Sequence, residues 1–400
     1  MDEALDDTND LKRHWTLDPG VDFLNHGSFG ACPRHVQEAQ QRLRDELERQ
    51  PVRFFMRRFH GLLDQAREVL AAFLGADPDG LVHVTNATSG VNAVLRSLRF
   101  APGDELLVTD HGYDACRNAL EFVAERAGAR VVPVRVPFPL ESSAAFVDAL
   151  LGAVTPRTKL ALVDHVTSPT GLILPVAELV SRLAEAGVDC LVDGAHAPGM
   201  LPLNLKQLGA AYYTGNCHKW LCAPKGAAFL YVREDRRDRV RPLVIGHGAS
   251  LHRPGHSAIQ DAFDWPGTHD PTAFLCVPDS IRHMESLVEG GYREIRRRNR
   301  ALALRGREIL TAALGIAPPC PAEMIGSLVS LPLPDRAATE ATGGESPDPL
   351  HDVLLDRHRI EVPVMPWPAP PRRLVRISAQ LYNDESQYRR LAEALGRELR

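Results

Sequence analysis

Lysine is a rare residue in this chain, since only five of its 46 basic residues are lysines. One of them, Lys219, directly follows an apolar run in the segment YYTGNCHKWLCAPKG. A lysine amine that is withdrawn from water has a lowered pKa and becomes a nucleophile able to condense with an aldehyde. On spacing alone, a lysine in a loop is a surface charge. The residues around Lys219 therefore decide whether it carries chemistry.

Asp193 is the first of these residues and ends the run VDCLVD, 26 positions before Lys219. A carboxylate at that place can pair with a protonated pyridine nitrogen and keep the ring electron-poor. A lone aspartate at a strand end is most often a turn or cap residue. Its combination with a strand-end lysine is much more specific, and it predicts a site for a pyridine aldehyde.

The elements that must position these two residues alternate between helix and strand from about residue 64 to 230. Continuous apolar strands separated by helices indicate a mainly parallel sheet that is covered on both faces. Ligands of such sheets bind beyond the carboxyl ends of the strands. The polar clusters that directly follow predicted strands are TNATS, DHGY, HVTSPTG, DGAHAP and TGNCHKW.

The chain divides into three predicted parts. Residues 1–60 form an N-terminal segment that contributes to the active site and to a small domain, residues 61–275 a large cofactor-binding domain, and residues 276–400 a smaller C-terminal domain. We expect one long Arg-rich helix over residues 280–310 and an exposed connection over residues 338–349, which is rich in Gly, Pro and acidic residues.

Composition excludes several classes of protein. The apolar share of 44% and the charged share of 24% are those of a globular protein, and the net charge of −5 does not favour a nucleic-acid partner. No apolar run is long enough for a membrane span, and the opening MDEALDDTND is not a signal peptide. Seven scattered cysteines predict free thiols, a cytoplasmic location and no metal site.

The motifs spread along the chain resemble one known group. They are LNHGSFGACP, TNATSGVNAV, TDHGYDA, DHVTSPTGLILPV, VDGAHAPG, GNCHKWLCAPKGAAFL, PGTHDPTAF and RISAQLYN. The chain resembles fold-type I enzymes that depend on pyridoxal 5′-phosphate (PLP), in the class V aminotransferase group, and most closely the isopenicillin N epimerase-like family. The resemblance implies an α/β fold with a mainly parallel central sheet, helices on both of its faces and a smaller α+β C-terminal domain. It also implies PLP bound covalently to Lys219, with Asp193 on the ring nitrogen.

The same resemblance implies further cofactor contacts. Ala87 and Thr88, at a helix N-terminus, are expected to present amide groups and a hydroxyl to the phosphate, because the helix dipole favours an anion there. His218 is expected to support the phosphate and Tyr113 to lie on the ring. The remaining residues implied to contact or surround the cofactor are Ser168, His196, Asn216 and Thr268.

The substrate contacts are also implied by the resemblance. Arg376, in RLVRISAQLYN, corresponds to an arginine that holds the substrate α-carboxylate with a bidentate fork. Asn25, His26 and Ser28 are expected to form an N-terminal loop over the substrate. Thr268 corresponds to a residue that the partner subunit donates to the phosphate, so we expect a homodimer with a shared active site.

Removal of the Cα proton by Lys219 is a step common to several reactions of an amino-acid substrate. Cysteine desulfurases carry a nucleophilic cysteine in the segment before the carboxylate-binding arginine, but here that segment is IEVPVMPWPAP. We therefore expect a C–S lyase that performs β-elimination on a cysteine S-conjugate in small-molecule biosynthesis. Amino-acid epimerisation, transamination and a decarboxylating or oxidative variant stay open. A non-catalytic homologue is disfavoured, because Lys219, Asp193 and Arg376 are all present.

Overall fold

The computed structural model describes residues 11–335 and 348–399, so the predicted connection over residues 338–349 lies almost entirely outside the described residues. The strands of the described part are β1 (Asp22–Phe23), β2 (Leu81–Val84), β3 (Glu105–Thr109), β4 (Arg130–Val134), β5 (Thr158–Asp164), β6 (Asp189–Asp193), β7 (Tyr212–Asn216), β8 (Ala228–Val232), β9 (Leu328–Leu333), β10 (Ile360–Glu361), β11 (Val364–Pro366) and β12 (Arg373–Ser378).

The helices connect and cover these strands. They are α1 (His26–Phe29), α2 (Arg34–Arg49), α3 (Pro51–Arg53), α4 (Phe59–Leu74), α5 (Ala87–Ser97), α6 (Asp114–Ala127), α7 (Ser143–Gly152), α8 (Val176–Glu185), α9 (Leu205–Leu208), α10 (Ala258–Asp264), α11 (Thr272–Leu275), α12 (Val277–Ser286), α13 (Gly291–Leu314), α14 (Pro349–His358) and α15 (Glu385–Glu398).

Seven of the described strands form the central sheet, in the order β2-β8-β7-β6-β5-β3-β4. The strands β7, β6, β5, β3 and β4, in this order across the sheet, are all parallel to their neighbours. Strand β8 is antiparallel to both of its neighbours, β2 and β7. The chain moves from β3 outward to β4 and then returns to add β5, β6 and β7 on the other side. The strand order therefore reverses between β3 and β5, the kind of place where open α/β sheets bind ligands.

Both faces of this sheet are buried, which explains why its strands are continuously apolar. In β3, Leu106 packs in one hydrophobic cluster with Val91 and Leu120 of helices α5 and α6. The next residue, Leu107, packs in the other cluster with Leu179 of helix α8. The prediction of a mainly parallel sheet with helices on both faces is confirmed.

The C-terminal part contains a smaller antiparallel sheet in the order β11-β12-β9, with α13 packed against α15 beside it. Strand β1 pairs with β10 in parallel, which joins the N-terminal segment to this part. The α+β character of the C-terminal part is confirmed. The predicted boundaries at residues 60 and 275 stay predictions.

The single long helix expected over residues 280–310 is wrong. The structure has two helices there, α12 and α13, separated by residues 287–290, and α13 begins at Gly291. Gly290 and Gly291 both have positive φ, of 88° and 56°, a conformation that a right-handed helix does not contain. The break turns the chain so that α12 and α13 pack against each other instead of forming one rod.

Candidate active site

The ends of the parallel strands bring chemically active residues together at one edge of the central sheet. Asp164, the last residue of β5, pairs with Asp193, the last residue of β6, and Asp193 pairs with Thr214 of β7. Lys219 follows β7 by three residues. A cavity of about 620 Å³ opens at this edge, and both aspartates and Lys219 line it. Its size lies within the range of pockets that bind small molecules and cofactors.

Lys219 is partly buried in this cavity, and none of the described acidic side chains forms an ion pair with it. Burial, followed by the positive charge of Arg376, lowers the pKa of Lys219 to about 7. The Nζ atom lies 3.2 Å from Nε2 of His196, and Nδ1 of His196 accepts a hydrogen bond from the indole of Trp220 at 3.3 Å. An indole only donates, so the neutral imidazole carries its proton on Nε2 and donates it to the amine. This contact requires an uncharged lysine, which is the nucleophilic form.

Asp193 lies at the other side of the cavity and is only 3% exposed. Its carboxylate accepts hydrogen bonds from the Ala195 amide at 2.9 Å and from the Cys116 thiol at 3.1 Å. Burial raises the pKa of Asp193, and burial together with the charge of Asp193 raises that of Asp164 well above its usual range. Two adjacent buried carboxyls do not both ionise unless a cation joins them. A protonated pyridine nitrogen is a cation that fits this place.

The N-terminus of helix α5 forms a third wall. The side chain of Asn86 caps the helix by accepting from the Ser89 amide at 2.8 Å. The Ala87 amide donates to Oδ1 of Asn216 at 2.9 Å. Ala87 lines the cavity, and the predicted role of its amide toward the phosphate stays a prediction. The Thr88 amide has no acceptor within the described residues and is the donor left for an anion.

His218 lines the same end of the cavity. Its Nδ1 atom lies 3.0 Å from the Ala227 carbonyl, to which it donates, and burial lowers its pKa to about 4. The neutral ring then offers only an acceptor at Nε2. Donation from Nε2 to a phosphate requires protonation of His218, which a nearby phosphate dianion favours.

Arg376 is 4% exposed and has no carboxylate partner within the part of the chain that the structure describes. Its guanidinium donates to the carbonyl of Ser168 at 2.5 Å and to the hydroxyl of Ser28 at 3.0 Å, and its Nε atom is buried without any partner. Burial lowers its pKa to about 10. A buried, acid-free guanidinium fits a site for a ligand carboxylate. Arg376 lies directly behind Ser28 and Ser168, which line the cavity.

The N-terminal loop reaches this site in an unexpected way. Ser28 lines the cavity, but Asn25 and His26 do not. Asn25 binds Glu361 and accepts from the Ser28 hydroxyl, so it orients Ser28 toward Arg376. His26 is fully buried, with its ring nitrogens 2.7 Å from the Tyr382 hydroxyl and 3.1 Å from the Lys219 carbonyl. Asn25 and His26 are both buried and support the wall that Ser28 forms, and their predicted place over the substrate stays a prediction.

The structure brings most of the sequence-predicted residues together around the cavity. Those that line it are Ser28, Ala87, Thr88, Tyr113, Ser168, Asp193, His196, Asn216, His218 and Lys219. Thr268 does not line it and stands exposed on another surface. Its predicted role concerns the site of a partner subunit, so that role stays a prediction.

Three residues of the site were missed by sequence reasoning. Asp164 ends its strand with the letters VD, as Asp193 does, and this shared ending was an available signal. Cys116 was predicted only to be a free thiol, because nothing in the sequence shows that its thiol meets Asp193. Lys225 lines the cavity beside Lys219, with its Nζ atom donating to the Gly30 carbonyl at 3.1 Å.

Lys219, the buried carboxyl of Asp193 and a helix N-terminus meet at the carboxyl edge of an open α/β sheet, an arrangement that fits a fold-type I PLP enzyme. The family model of class-V aminotransferases matches residues 22–341, and the chain belongs to that family.

The relatives agree with this assignment. The chain is 38% identical to an isopenicillin N epimerase of Amycolatopsis lactamdurans, over 95% of this chain and 96% of that protein. It is 32% identical to a probable chloroplastic L-cysteine desulfhydrase of Arabidopsis thaliana, over 94% and 83% of the two chains. A solved structure of a C-DES mutant, with glycine covalently linked to its PLP cofactor, superposes with a TM-score of 0.77 at 22% identity, over 94% and 97% of the two chains. The predictions of the family, of PLP as cofactor and of an enzyme in its lyase and epimerase branch are confirmed.

None of the described helices is long and apolar enough to cross a membrane. Among residues 11–335 and 348–399, no three His, Cys, Asp or Glu side chains are grouped so that they would hold a metal ion.

Proposed function

We propose that this enzyme is a C–S lyase that removes a thiol from Cβ of an S-substituted cysteine by β-elimination. The observation that carries the proposal is the amine of Lys219, with its lowered pKa, in a cavity that also holds Asp193 and lies against the acid-free guanidinium of Arg376. These groups are the base, the ring partner and the carboxylate holder that proton removal at Cα needs. A relative named as an L-cysteine desulfhydrase supports an elimination reaction.

Each side chain has a distinct task in this proposal. PLP, when bound, withdraws electrons from Cα of the amino acid. Asp193 holds the proton on the ring nitrogen, and Thr88 and His218 bind the phosphate. Arg376 binds the substrate α-carboxylate, which orients the Cα–H bond toward Lys219. Nζ of Lys219 takes that proton and has it available for the departing thiolate.

The overall reaction is balanced by one water molecule. The Cβ–S bond breaks, the sulfur leaves with a proton as a thiol, and hydrolysis of the three-carbon remainder gives pyruvate and ammonia. No external oxidant or reductant is required. The segment before Arg376 contains no cysteine that would take up the sulfur, which agrees with release of a free thiol.

Amino-acid epimerisation is the second candidate. The relative at 38% identity, an isopenicillin N epimerase, favours it. Epimerisation shares the removal of the Cα proton by Lys219 but returns a proton from the opposite face and leaves the Cβ–S bond intact. Transamination is the third candidate, in which the amino group is kept and a keto acid is released.

Incubation with S-substituted L-cysteines in deuterated water distinguishes the three reactions. Pyruvate and a free thiol in equal amounts support elimination. Deuterium at Cα of a recovered, racemised substrate supports epimerisation, and a keto acid that retains its sulfur supports transamination. Lys219→Ala should abolish all three, whereas Lys225→Ala is the matched control because Lys225 lines the same cavity but donates to a backbone carbonyl.

We propose that the enzyme is a homodimer in which Thr268 contributes to the site of the partner subunit. Phe29 lines the cavity and yet is 75% exposed, so an apolar side chain stands open at the rim of the site. Contiguous exposed apolar surface is typical of an interface. Light scattering of the holoenzyme tests the proposal, which a monomer that is fully active would contradict.

We also propose that the enzyme acts in the cytoplasm. All seven of its cysteines are free thiols, and six of them are buried. Free thiols suit a reducing compartment. Cell fractionation with an antibody against the chain tests this location.

A further inference from the structure

A second cavity, of about 1100 Å³, adjoins the active site. Tyr113 and Ser168 line both cavities, so these two residues form the passage between them. The outer walls come from residues 133–138, at the end of β4 and just after it, and from residues 365–372, which include the end of β11 and its connection to β12. Ser168 also accepts from Arg376, so the second cavity begins beside the predicted carboxylate holder.

The aromatic wall of this second cavity contains a hydrogen-bond donor, the indole N–H of Trp367, that has no acceptor among the described residues. Trp367 packs edge-on against Phe138 and His111, with ring centroids 5.4 Å and 4.8 Å away. Its indole nitrogen is buried and has no partner among the described residues. A buried N–H without an acceptor costs free energy, so a ligand that supplies an acceptor gains affinity there. His111 does not supply one, because its two nitrogens contact Thr170 and the Val136 carbonyl.

The charged residues of the second cavity are not balanced. Arg135 and Arg372 line it, and neither guanidinium has a partner within residues 11–335 and 348–399. The third arginine, Arg117, is already paired with Glu121 at 2.9 Å. The acids are Asp110, whose Oδ1 accepts from the Val136 amide, and Asp114 in the first turn of helix α6. The exposed guanidinium groups of Arg135 and Arg372 are therefore open to a ligand anion, and the indole of Trp367 is a buried donor without an acceptor among the described residues.

We propose that this second cavity binds the sulfur substituent of the substrate and selects a planar substituent that carries a carboxylate or another anion. The inference rests on the proposed function, because it names the substrate class of the same site. The planar part would lie against Trp367 and Phe138, and the anion would accept from Arg135 and Arg372. Free L-cysteine would leave the second cavity empty.

The inference also explains a difference between this chain and the cysteine desulfurases it resembles. The segment before Arg376 carries Trp367 and a run of prolines instead of a nucleophilic cysteine. In the structure this segment forms a wall of the second cavity. It therefore shapes a binding site for the leaving group and does not take sulfur from the substrate.

Two conjugates of similar shape test the selection of charge. S-(para-carboxybenzyl)-L-cysteine carries the anion, and S-(para-carbamoylbenzyl)-L-cysteine is its neutral counterpart. The change in the cofactor's absorption during titration of the holoenzyme gives a dissociation constant for each, whichever reaction follows. We expect the wild-type enzyme to bind the carboxylate about tenfold more tightly, since a hydrogen bond to a charged group contributes roughly that factor.

The double variant Arg135→Gln/Arg372→Gln should bind both conjugates equally, because it removes charge from the second cavity and leaves the catalytic residues intact. Arg182→Gln is the control, as Arg182 is exposed on helix α8 and pairs with Glu178. Trp367→Phe keeps an aromatic ring without the N–H and should weaken binding of the carboxylate conjugate severalfold. S-Methyl-L-cysteine should bind equally to all variants.

An unchanged preference for the carboxylate in the double variant would overturn the inference. Binding of both benzyl conjugates no tighter than that of S-methyl-L-cysteine would also overturn it, and would indicate that solvent or a partner subunit fills the cavity. If the anionic conjugate binds preferentially but no variant or wild-type enzyme releases pyruvate, the proposed lyase function fails and the binding site stands.

Discussion

Replacement of Asp193 by Asn tests the proposed partner of the cofactor ring nitrogen. Asp193 is 3% exposed, and its carboxylate already accepts from Ala195 and Cys116. Asparagine keeps the shape but removes the negative charge that stabilises a protonated pyridine nitrogen. Removal of one partner of a buried ion pair costs about 3–5 kcal/mol, and each 1.4 kcal/mol is about a factor of ten in rate. We therefore expect Asp193→Asn to lower kcat by at least about a hundredfold.

The assay measures pyruvate release at saturating PLP, with the bound PLP and the Tm measured on the same preparation. Asp164→Asn is the matched control, because burial and the nearby charge of Asp193 raise the pKa of Asp164 well above its usual range. A carboxyl that is already protonated loses no charge on replacement, so kcat should change by less than about tenfold. The reasoning is refuted if Asp193→Asn retains kcat within about tenfold at equal PLP content, or if Asp164→Asn is the more damaging change.

Three further predictions follow from the geometry. The pKa of Lys219 is lowered to about 7, so its amine is mostly uncharged above that pH. PLP should therefore associate with the apoenzyme faster as the pH rises through 7, which stopped-flow absorbance measures. Arg376→Leu removes a positive charge that lowers this pKa and should move the midpoint to higher pH; an unmoved midpoint would contradict the assigned cause. Trp220→Phe removes the donor to Nδ1 of His196 and frees its tautomer, so kcat should fall severalfold with unchanged Tm, and full activity would show that the tautomer is unimportant. Finally, unfolding and refolding a mixture of Lys219→Ala and Thr268→Val chains should restore activity that neither variant has alone, whereas an inactive mixture would contradict a shared site.

The central sheet could be predicted from the sequence because each strand and each helix has its own local pattern of apolar residues. Continuous apolar runs between amphipathic helices are typical of parallel strands, and Leu106 and Leu107 indeed face opposite helical layers. The polar clusters after these runs predicted the edge at which Asp193 and Lys219 meet. The break at Gly290 and Gly291 was missed, because the helical periodicity continues on both sides of it and only the backbone angles reveal the turn.

The contacts inside the site were harder to predict because they join residues far apart in sequence. Asn216 accepts a hydrogen bond from the Ala87 amide, 129 positions away in sequence, and Asp193 accepts one from the Cys116 thiol, 77 positions away. Such pairs depend on how a helix packs on the sheet, and residue types alone do not predict that packing. The sequence also does not show that His26 is buried beside Tyr382, because tertiary packing decides that contact.

The central claim is that Lys219 carries the cofactor, and reduction of the holoenzyme with borohydride followed by peptide mass spectrometry tests it most directly. Lys225 lines the same cavity and is the competing amine, but its Nζ atom donates to the Gly30 carbonyl. We expect the reduced cofactor to be attached to Lys219 and Lys225→Ala to leave the attachment unchanged. Attachment to Lys225, or to no lysine, would contradict the claim.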